Sequence, residues 1–384
     1  MKIAFFTTTR AEFGVLYPLI KEIDNTSIIE NLLFVGGTHL LKEHGDTIEE
    51  IKEQNIAIND TFDYISQGTN PYEILHSLAK ETSELAKLFE KHEFDAVCVL
   101  GDRYELIPII EAAILYRKYI IHIHGGEKSE GAIDEQIRHM ITKAAHIHFS
   151  ACDEYAKNIR KMGESAWRVF NTGALAVDNM LQIPKIPKQE LFNELRLDPE
   201  KELVLMTYHP VTLEKELSPV DQMKNVFKAL ESFNSQVLIT APNMDVNRGE
   251  ILNEIKLQVK NNSNYHFIES LGSLRYLNLI KHCKFVIGNS SSGIVEVPFF
   301  KIPTINIGNR QKGRIRHSSV IDTDYSTESI QKGIKKALNK NFLLSLQEMK
   351  YKFGNGNTAK KMVDILESIT FDKKLLQKQL DFEC

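Results

Sequence analysis

The densest chemistry in this sequence lies between Gly101 and His139. Asp102 follows a glycine at the end of an apolar run, so its carboxylate is expected at the edge of a sheet. His122-Ile123-His124-Gly125-Gly126-Glu127 comes next, and its paired glycines mark a loop where backbone can approach a ligand closely. Residues 133–145 read as a helix in which Asp134 and Arg138, and Glu135 and His139, are i,i+4 neighbours. On an arbitrary helix these are two stabilising pairs. Here the acids open the helix and stand close in sequence to Glu127 and His124. Clustered carboxylates and histidines can hold separated pKa values, which is what removing and returning a proton requires. His209, before a proline in the second half, is expected to face this group. A zinc site could be drawn from His122, His124 and His139, since HxH on a strand puts both rings on one face. The flanks of His122 read as packed strand, however, and no recognised ligand spacing is present. No metal is expected.

A second set of residues suits an anion. In Gly288-Asn289-Ser290-Ser291-Ser292-Gly293 a buried run meets small side chains and then a helical stretch beginning near Gly293. Small residues let backbone N–H groups approach a phosphate, and a helix start favours negative charge. A serine-rich N-cap explains the same residues equally well. Glu296 falls in the first turn, where it complements the dipole or accepts from ribose hydroxyls. Arg10 follows the first strand, placed either to clamp a phosphate or to pair with Glu12. The loop Arg310-Gln311-Lys312-Gly313-Arg314-Ile315-Arg316 concentrates positive charge just after another apolar run. The sequence has no Walker-A loop, and the first strand is not followed by GxGxxG, which argues against a P-loop NTPase and an ordinary NAD enzyme.

These residues recur at the ends of short apolar runs. The runs are 3–6, 32–35, 96–100, 119–124, 147–150 and 169–172 in the first half. In the second they are 203–206, 237–240, 266–268, 285–288, 304–307 and 320–322. Runs rich in β-branched residues, separated by amphipathic stretches, predict parallel strands buried on both faces. Two such series predict an α/β protein of two Rossmann-like domains with a ligand cleft between them. Gln182–Lys188, with two prolines and two lysines, reads as the linker. The expected domains are residues 1–181 and 182–357, with a helical tail from about Thr358 that could return to the first.

The chain has 384 residues, enough for two domains. Its net charge of −4 implies no broad basic surface, so nucleic acid and anionic membrane are not expected partners. The four cysteines, Cys98, Cys152, Cys283 and Cys384, are far apart and read as reduced thiols. The chain opens on a strand-like run, and no apolar stretch is long enough to span a bilayer. The expected location is the cytoplasm.

The segments Thr9–Gly14 (TRAEFG), Gly101–Glu105 (GDRYE), His122–Lys143, His209–Thr212 (HPVT), Pro242–Asp245 (PNMD), Ile287–Pro298 (IGNSSSGIVEVP) and Ile305–Arg314 together resemble the UDP-N-acetylglucosamine 2-epimerase family, especially its hydrolysing branch. They run in family order across nearly the whole chain. The resemblance implies a GT-B-type fold and a nucleotide-sugar substrate. It implies loss of the C2 proton and of the nucleoside diphosphate from C1, leaving a 2-acetamidoglucal. Water then adds, releasing a manno-configured sugar for sialic or legionaminic acid synthesis. By position, Asp102, Glu127, Asp134, Glu135, Arg138 and His209 look like the acid–base and orienting set. Arg10, Arg103, Ser290, Ser291, Gly293, Glu296 and Arg310 look like nucleotide-binding positions, with Asn243 near the base or ribose. Some relatives carry a glutamate where His124 stands; if that acid is the base there, its role passes here to His124 or a neighbour. The resemblance implies no cofactor, and a homo-oligomer, dimer or tetramer, is expected. A GT-B glycosyltransferase is the competing reading, though it need not gather so many acids.

Overall fold

The computed structural model describes residues 1–384 except 42–46, 66–69, 131–132, 212–216, 232, 234, 243–247 and 382–384. The chain divides into two compact units. Unit 1 comprises Met1–Glu127, Asp134–Asn179 and Phe353–Cys384; unit 2 comprises Lys128–Ile133 and Met180–Lys352.

Unit 1 is built on seven parallel strands: β1 (Lys2–Thr7), β2 (Glu30–Gly36), β3 (Ile58–Phe62), β4 (Ala96–Leu100), β5 (Tyr119–Ile123), β6 (Ile147–Ser150) and β7 (Val169–Asn171). Their spatial order is β3-β2-β1-β4-β5-β6-β7. The sheet is buried on both sides. Ile3 and Phe5 of β1 join one apolar cluster, whereas Ala4 and Phe6 join another across the sheet. Burying each of Ile3, Phe5 and Phe6 contributes about 1.5–3 kcal/mol. Continuous apolar runs were needed for that, and all the predicted runs of the first half form strands. The unforeseen strand is β3, whose sequence INDTF has apolar residues only at its two ends, as an edge strand tolerates.

The helices important for the site are α1 (Arg10–Ile23), α2 (Thr47–Glu53), α3 (Pro71–Lys91), α4 (Leu106–Leu115) and α5 (Asp134–Ala144). Thr9 caps α1, its side chain accepting the N–H of Glu12. The helix Thr358–Ser368 buries Ala359, Met362, Val363 and Leu366 in the same cluster as Leu16, Leu19 and Ile20 of α1. Asp178 holds the start of that helix, accepting the backbone N–H groups of Thr358 and Ala359 at 3.0 and 2.7 Å. Arg168 donates to four backbone carbonyls, three of them in the closing segment at Lys374, Leu375 and Gln377.

Unit 2 repeats the plan with β8 (Leu203–Thr207), β9 (Gln236–Thr240), β10 (Tyr265–Ile268), β11 (Cys283–Gly288), β12 (Thr304–Ile307) and β13 (Val320–Thr323). All are parallel, in the order β10-β9-β8-β11-β12-β13. In each sheet the strand order reverses between the first strand and the fourth of its series, at β1/β4 and at β8/β11. Such a reversal opens a crevice beyond the strand ends, where doubly wound sheets bind ligands. Among the described residues no helix is long and apolar enough to cross a membrane.

Candidate functional site

The two reversal points collect most of the residues singled out in the sequence. In unit 1, β1 runs into Thr8, Thr9 and Arg10, and β4 runs into Gly101, Asp102 and Arg103. In unit 2, β8 leads to His209 and β11 leads to Asn289, Ser290 and Ser291.

Arg138 organises the acids of unit 1. It lies on α5 and is fully buried. One guanidinium nitrogen reaches the carboxylate of Asp102. The other donates to Glu135 at 2.8 Å and to the backbone carbonyl of Glu127 at 3.0 Å. Burial opposes its charge, but Asp102, Glu127 and Glu135 outweigh burial and hold it protonated beyond the ordinary arginine range. A buried cation with several acceptors is a fixed point, and so are the carboxylates it holds. Glu135 also meets His139 at 3.2 Å, the expected i,i+4 contact. Asp134 opens α5, half-buried.

The HIHGGE loop departs from the strand reading. β5 ends at Ile123, and His124 adopts a left-handed backbone with φ 67°. The two histidines therefore do not continue one strand face. His122 is fully buried, its Nε2 2.8 Å from the carbonyl of Gly101 and its Nδ1 3.3 Å from the Thr142 hydroxyl. Burial lowers its pKa to about 3, so it is neutral and structural. His124 turns aside, and its Nδ1 lies 2.9 Å from the buried carboxylate of Glu127. Its Nε2 is buried with no hydrogen-bond partner among the described residues. A left-handed non-glycine residue is costly and is kept where the surroundings over-determine it. Gly126 supports the turn: at φ 74° it passes so close to α-helical backbone that a Cβ would sit 2.3 Å from the carbonyl oxygen of Tyr155.

Arg103 is forked onto the buried carboxylate of Glu105, at 2.6 and 3.1 Å. Glu12 is buried nearby and accepts the Thr8 backbone N–H at 2.8 Å. Burial raises its pKa to about 7, against the pull of the Thr8 bond and of Arg103. Glu81 of α3 is fully buried, and neither carboxylate oxygen has a partner among the described residues. Burial raises its pKa to about 10, with Glu105 and Glu12 adding to the effect. Sequence reasoning missed this inner group of acids. Glu12 and Glu105 carried a signal, since both fall inside the recognised motifs; Glu81 reads as one more charge on an amphipathic helix. Arg10 pairs with Glu50 of α2 at 2.8 Å.

In unit 2 the GNSSSG segment is not the start of a long helix. Ser291–Gly293 forms one 3-10 turn and Glu296–Phe299 a single short helix that contains Pro298. A single turn that ends at the left-handed Lys301 is too short to develop a macrodipole. Ser290 caps the turn by accepting the Ser292 N–H at 3.4 Å. What the segment offers an anion is local N–H groups and hydroxyls, with Arg310 held at the Asn289 carbonyl. Gly293 packs tightly, since a Cβ there would meet Thr304 Cγ2 at 2.6 Å. Glu296 is half-buried. The Ser292 hydroxyl accepts from Tyr276 at 2.7 Å.

The basic loop after β12 separates into different contacts. Arg310 donates to the carbonyl of Asn289 at 3.2 Å. Arg316 pairs with Asp322 of β13 at 3.1 Å, and Lys312 approaches Glu130 at 3.6 Å. His209 is buried, and burial together with the Arg310 charge holds its pKa well below the usual histidine range. It is a neutral imidazole beside a cation. Asn243 lies outside the described residues.

Comparison with known proteins gives these arrangements a family. The UDP-N-acetylglucosamine 2-epimerase family matches residues 21–367. The chain belongs to that family. It is 37% identical over 84% of each chain to the GDP/UDP-N,N'-diacetylbacillosamine 2-epimerase (hydrolyzing) of Campylobacter jejuni. It is 35% identical to the polysialic acid biosynthesis protein P7 of Escherichia coli, over 97% of this chain and 95% of the other. It is 33% identical to the UDP-N-acetylglucosamine 2-epimerase of Neisseria meningitidis, over 88% of this chain and 87% of the other. Among solved structures, a UDP-GlcNAc 2-epimerase from Neisseria meningitidis bound to UDP-GlcNAc superposes with a TM-score of 0.83 at 17% identity, covering 96% of this chain and all of that one. The likeness shows the fold: two Rossmann-like domains of the GT-B type. This epimerase keeps the acid-rich edge on unit 1 and the serine- and arginine-lined edge on unit 2.

Proposed function

We propose that this epimerase converts UDP-N-acetylglucosamine and water to free N-acetylmannosamine and UDP, with His124 as the group that exchanges the C2 proton. The hydrolysing reaction class follows from the family and from the relatives. The observation carrying the base assignment is the His124–Glu127 pair. Glu127 accepts from Nδ1–H at 2.9 Å, which fixes the tautomer and leaves Nε2, buried and unpartnered among the described residues, as the proton acceptor. The Glu127 carboxylate stabilises the imidazolium as it forms.

Nε2 takes the proton from C2, the C2–H electron pair becomes the C1=C2 bond, and the C1–O bond breaks with its pair on UDP. Water then adds its oxygen to C1 and loses a proton to a carboxylate of the Arg138 group; that carboxyl gives a proton to C2 on the face opposite His124, and His124 releases the proton it took to solvent. Asp102 and Glu135, held by Arg138, orient the sugar and assist the water addition, with Asp134 beside them. In unit 2, Ser290, Ser291, Gly293, Glu296 and Arg310 hold the nucleotide together with Asn243, and neutral His209 donates to the leaving oxygen. On unit 1, Arg10 and Arg103 are the cations offered to phosphate. The product is an N-acylated manno sugar of the kind used for sialic acid synthesis, made in the cytoplasm by a homo-oligomer without a cofactor.

A second reading is favoured by two relatives, from Campylobacter jejuni and Legionella pneumophila, named as hydrolysing N,N'-diacetylbacillosamine 2-epimerases. It is the same chemistry on the 2,4-diacetamido-2,4,6-trideoxyglucose analogue carried by UDP or GDP, leading to legionaminic acid. The deciding experiment incubates the purified protein with each sugar on each nucleotide in D2O, followed by NMR. Free N-acetylmannosamine with deuterium at C2 is the expected product. Faster turnover of the diacetamido sugar would establish the second reading. A product without deuterium at C2 would remove the proton-abstraction mechanism.

A further inference from the structure

Asn289 is fully buried at the end of β11, and both ends of its side chain are used on one residue 80 positions away. Its Oδ1 accepts the backbone N–H of His209 at 2.7 Å. Its Nδ2 donates to the backbone carbonyl of His209 at 2.8 Å. The backbone extends the same contact, for the Asn289 N–H donates to the carbonyl of Thr207 at 3.2 Å. Gly288 is paired with Thr207 in the β8–β11 ladder and runs so close that a Cβ there would sit 1.9 Å from the Thr207 carbonyl oxygen. The side-chain amide thus continues the ladder one residue beyond the last strand pair. It does so where β8 gives way to the His209-Pro210 turn, and a proline cannot offer an N–H to such a ladder.

The main chain of Asn289 has a separate task. Its carbonyl accepts from Arg310 Nη1 at 3.2 Å and from Gln311 Nε2 at 3.0 Å. One residue therefore ties together the His209 turn, the serine loop that it opens, and the arginine loop after β12. The two attachments use different atoms. The side chain holds His209 and the carbonyl holds Arg310.

We propose that Asn289 is a positioning residue that sets the His209 imidazole for departure of the nucleoside diphosphate, while its backbone independently seats Arg310. This rests on the nucleotide-sugar reading above. Only asparagine satisfies the geometry. Aspartate has the size but no donor for the His209 carbonyl, glutamine is one carbon too long, and serine cannot reach both groups. A side-chain deletion leaves two buried His209 backbone groups without their partner, and unsatisfied buried groups of this kind do not keep their position.

The separation predicts an unusual kinetic signature. Asn289→Ala is expected to lower kcat by about tenfold to a hundredfold, while the Kd for UDP and the substrate KM stay within about threefold of wild type. Because Asn289 acts through His209, H209A/N289A is expected to be no slower than H209A alone. Asn289→Asp keeps the acceptor and the size, and serves the same comparison should the alanine variant not fold. Unchanged kcat in N289A, a kcat loss that multiplies with that of H209A, or a fall in UDP affinity matching the fall in kcat would each overturn the proposal. Titrating the wild-type protein with UDP and with GDP separates the two levels of argument. No binding of either by the wild type defeats the nucleotide-sugar reading, whereas wild-type binding with an inert Asn289 defeats only this inference.

Discussion

The two units share a strand order and place their reversal points in the same position of the series, yet the two sheet edges are chemically opposite. The unit 1 edge is crowded with ionisable groups: Asp102, Glu127 and Glu135 around a buried Arg138, with the buried acids Glu12, Glu81 and Glu105 besides. The unit 2 edge relies on neutral groups: serine hydroxyls, a buried amide and a neutral histidine, with Arg310 half-buried beside them. Topology thus supplies the position of a site and says little about its chemistry. Proton transfer needs groups whose charge can change, and burial with partners tunes them. Holding a diphosphate needs donors that do not change, and backbone and hydroxyl groups provide these without titrating.

That contrast can be broken by substitution. The largest effect is expected at the charged edge, where Asp102→Asn should lower turnover about a thousandfold while the UDP Kd stays within about threefold. Turnover near wild type in a coupled UDP-release assay would take Asp102 off the catalytic edge. Next is Arg138→Met, which leaves the acids of unit 1 without their cation. A loss of about 3–5 kcal/mol is expected in urea unfolding, against less than about 1 kcal/mol for the half-buried Arg310→Met. Equal losses would erase the distinction between the two edges.

The third effect concerns pH. The Glu12 pKa rises from 4.5 to about 7 on burial, so the folded state holds its proton more tightly than the unfolded chain does. Its contribution is complete below pH 4.5, where both states are protonated. It is lost as the pH rises to about 7, by an amount of about 3 kcal/mol, and is level above that. Glu12→Gln should remove this slope, so the gain in stability over wild type grows from pH 4.5 to pH 7.5 in denaturant titrations. A pH-independent difference would place Glu12 in a solvated setting. The smallest effect is expected at the neutral edge. Ser291→Ala with Glu296→Ala should weaken UDP binding by about tenfold to thirtyfold in calorimetry, with kcat at saturation nearly kept. Unchanged affinity would return the GNSSSG segment to the role of a plain turn cap.

The α/β class, the two series of buried strands and the family were legible in the order of residues alone. That order also placed the ionisable residues at strand ends, because apolar runs and motif order are local properties of the chain. It misled where local pattern is weak or misleading. The edge strand β3 has too few apolar residues to announce itself, and the helix expected after Gly293 is only one turn, ending at the left-handed Lys301. Which groups meet is set by folding. Arg138 reaches Asp102 across 36 residues, and Asn289 reaches His209 across 80. His124 leaves its strand and turns its ring to Glu127 because Gly126 lets the chain pass against Tyr155. Such pairings depend on how sheets and helices close around one another, and burial then fixes which of the gathered groups carry charge. Spacing along the chain records neither.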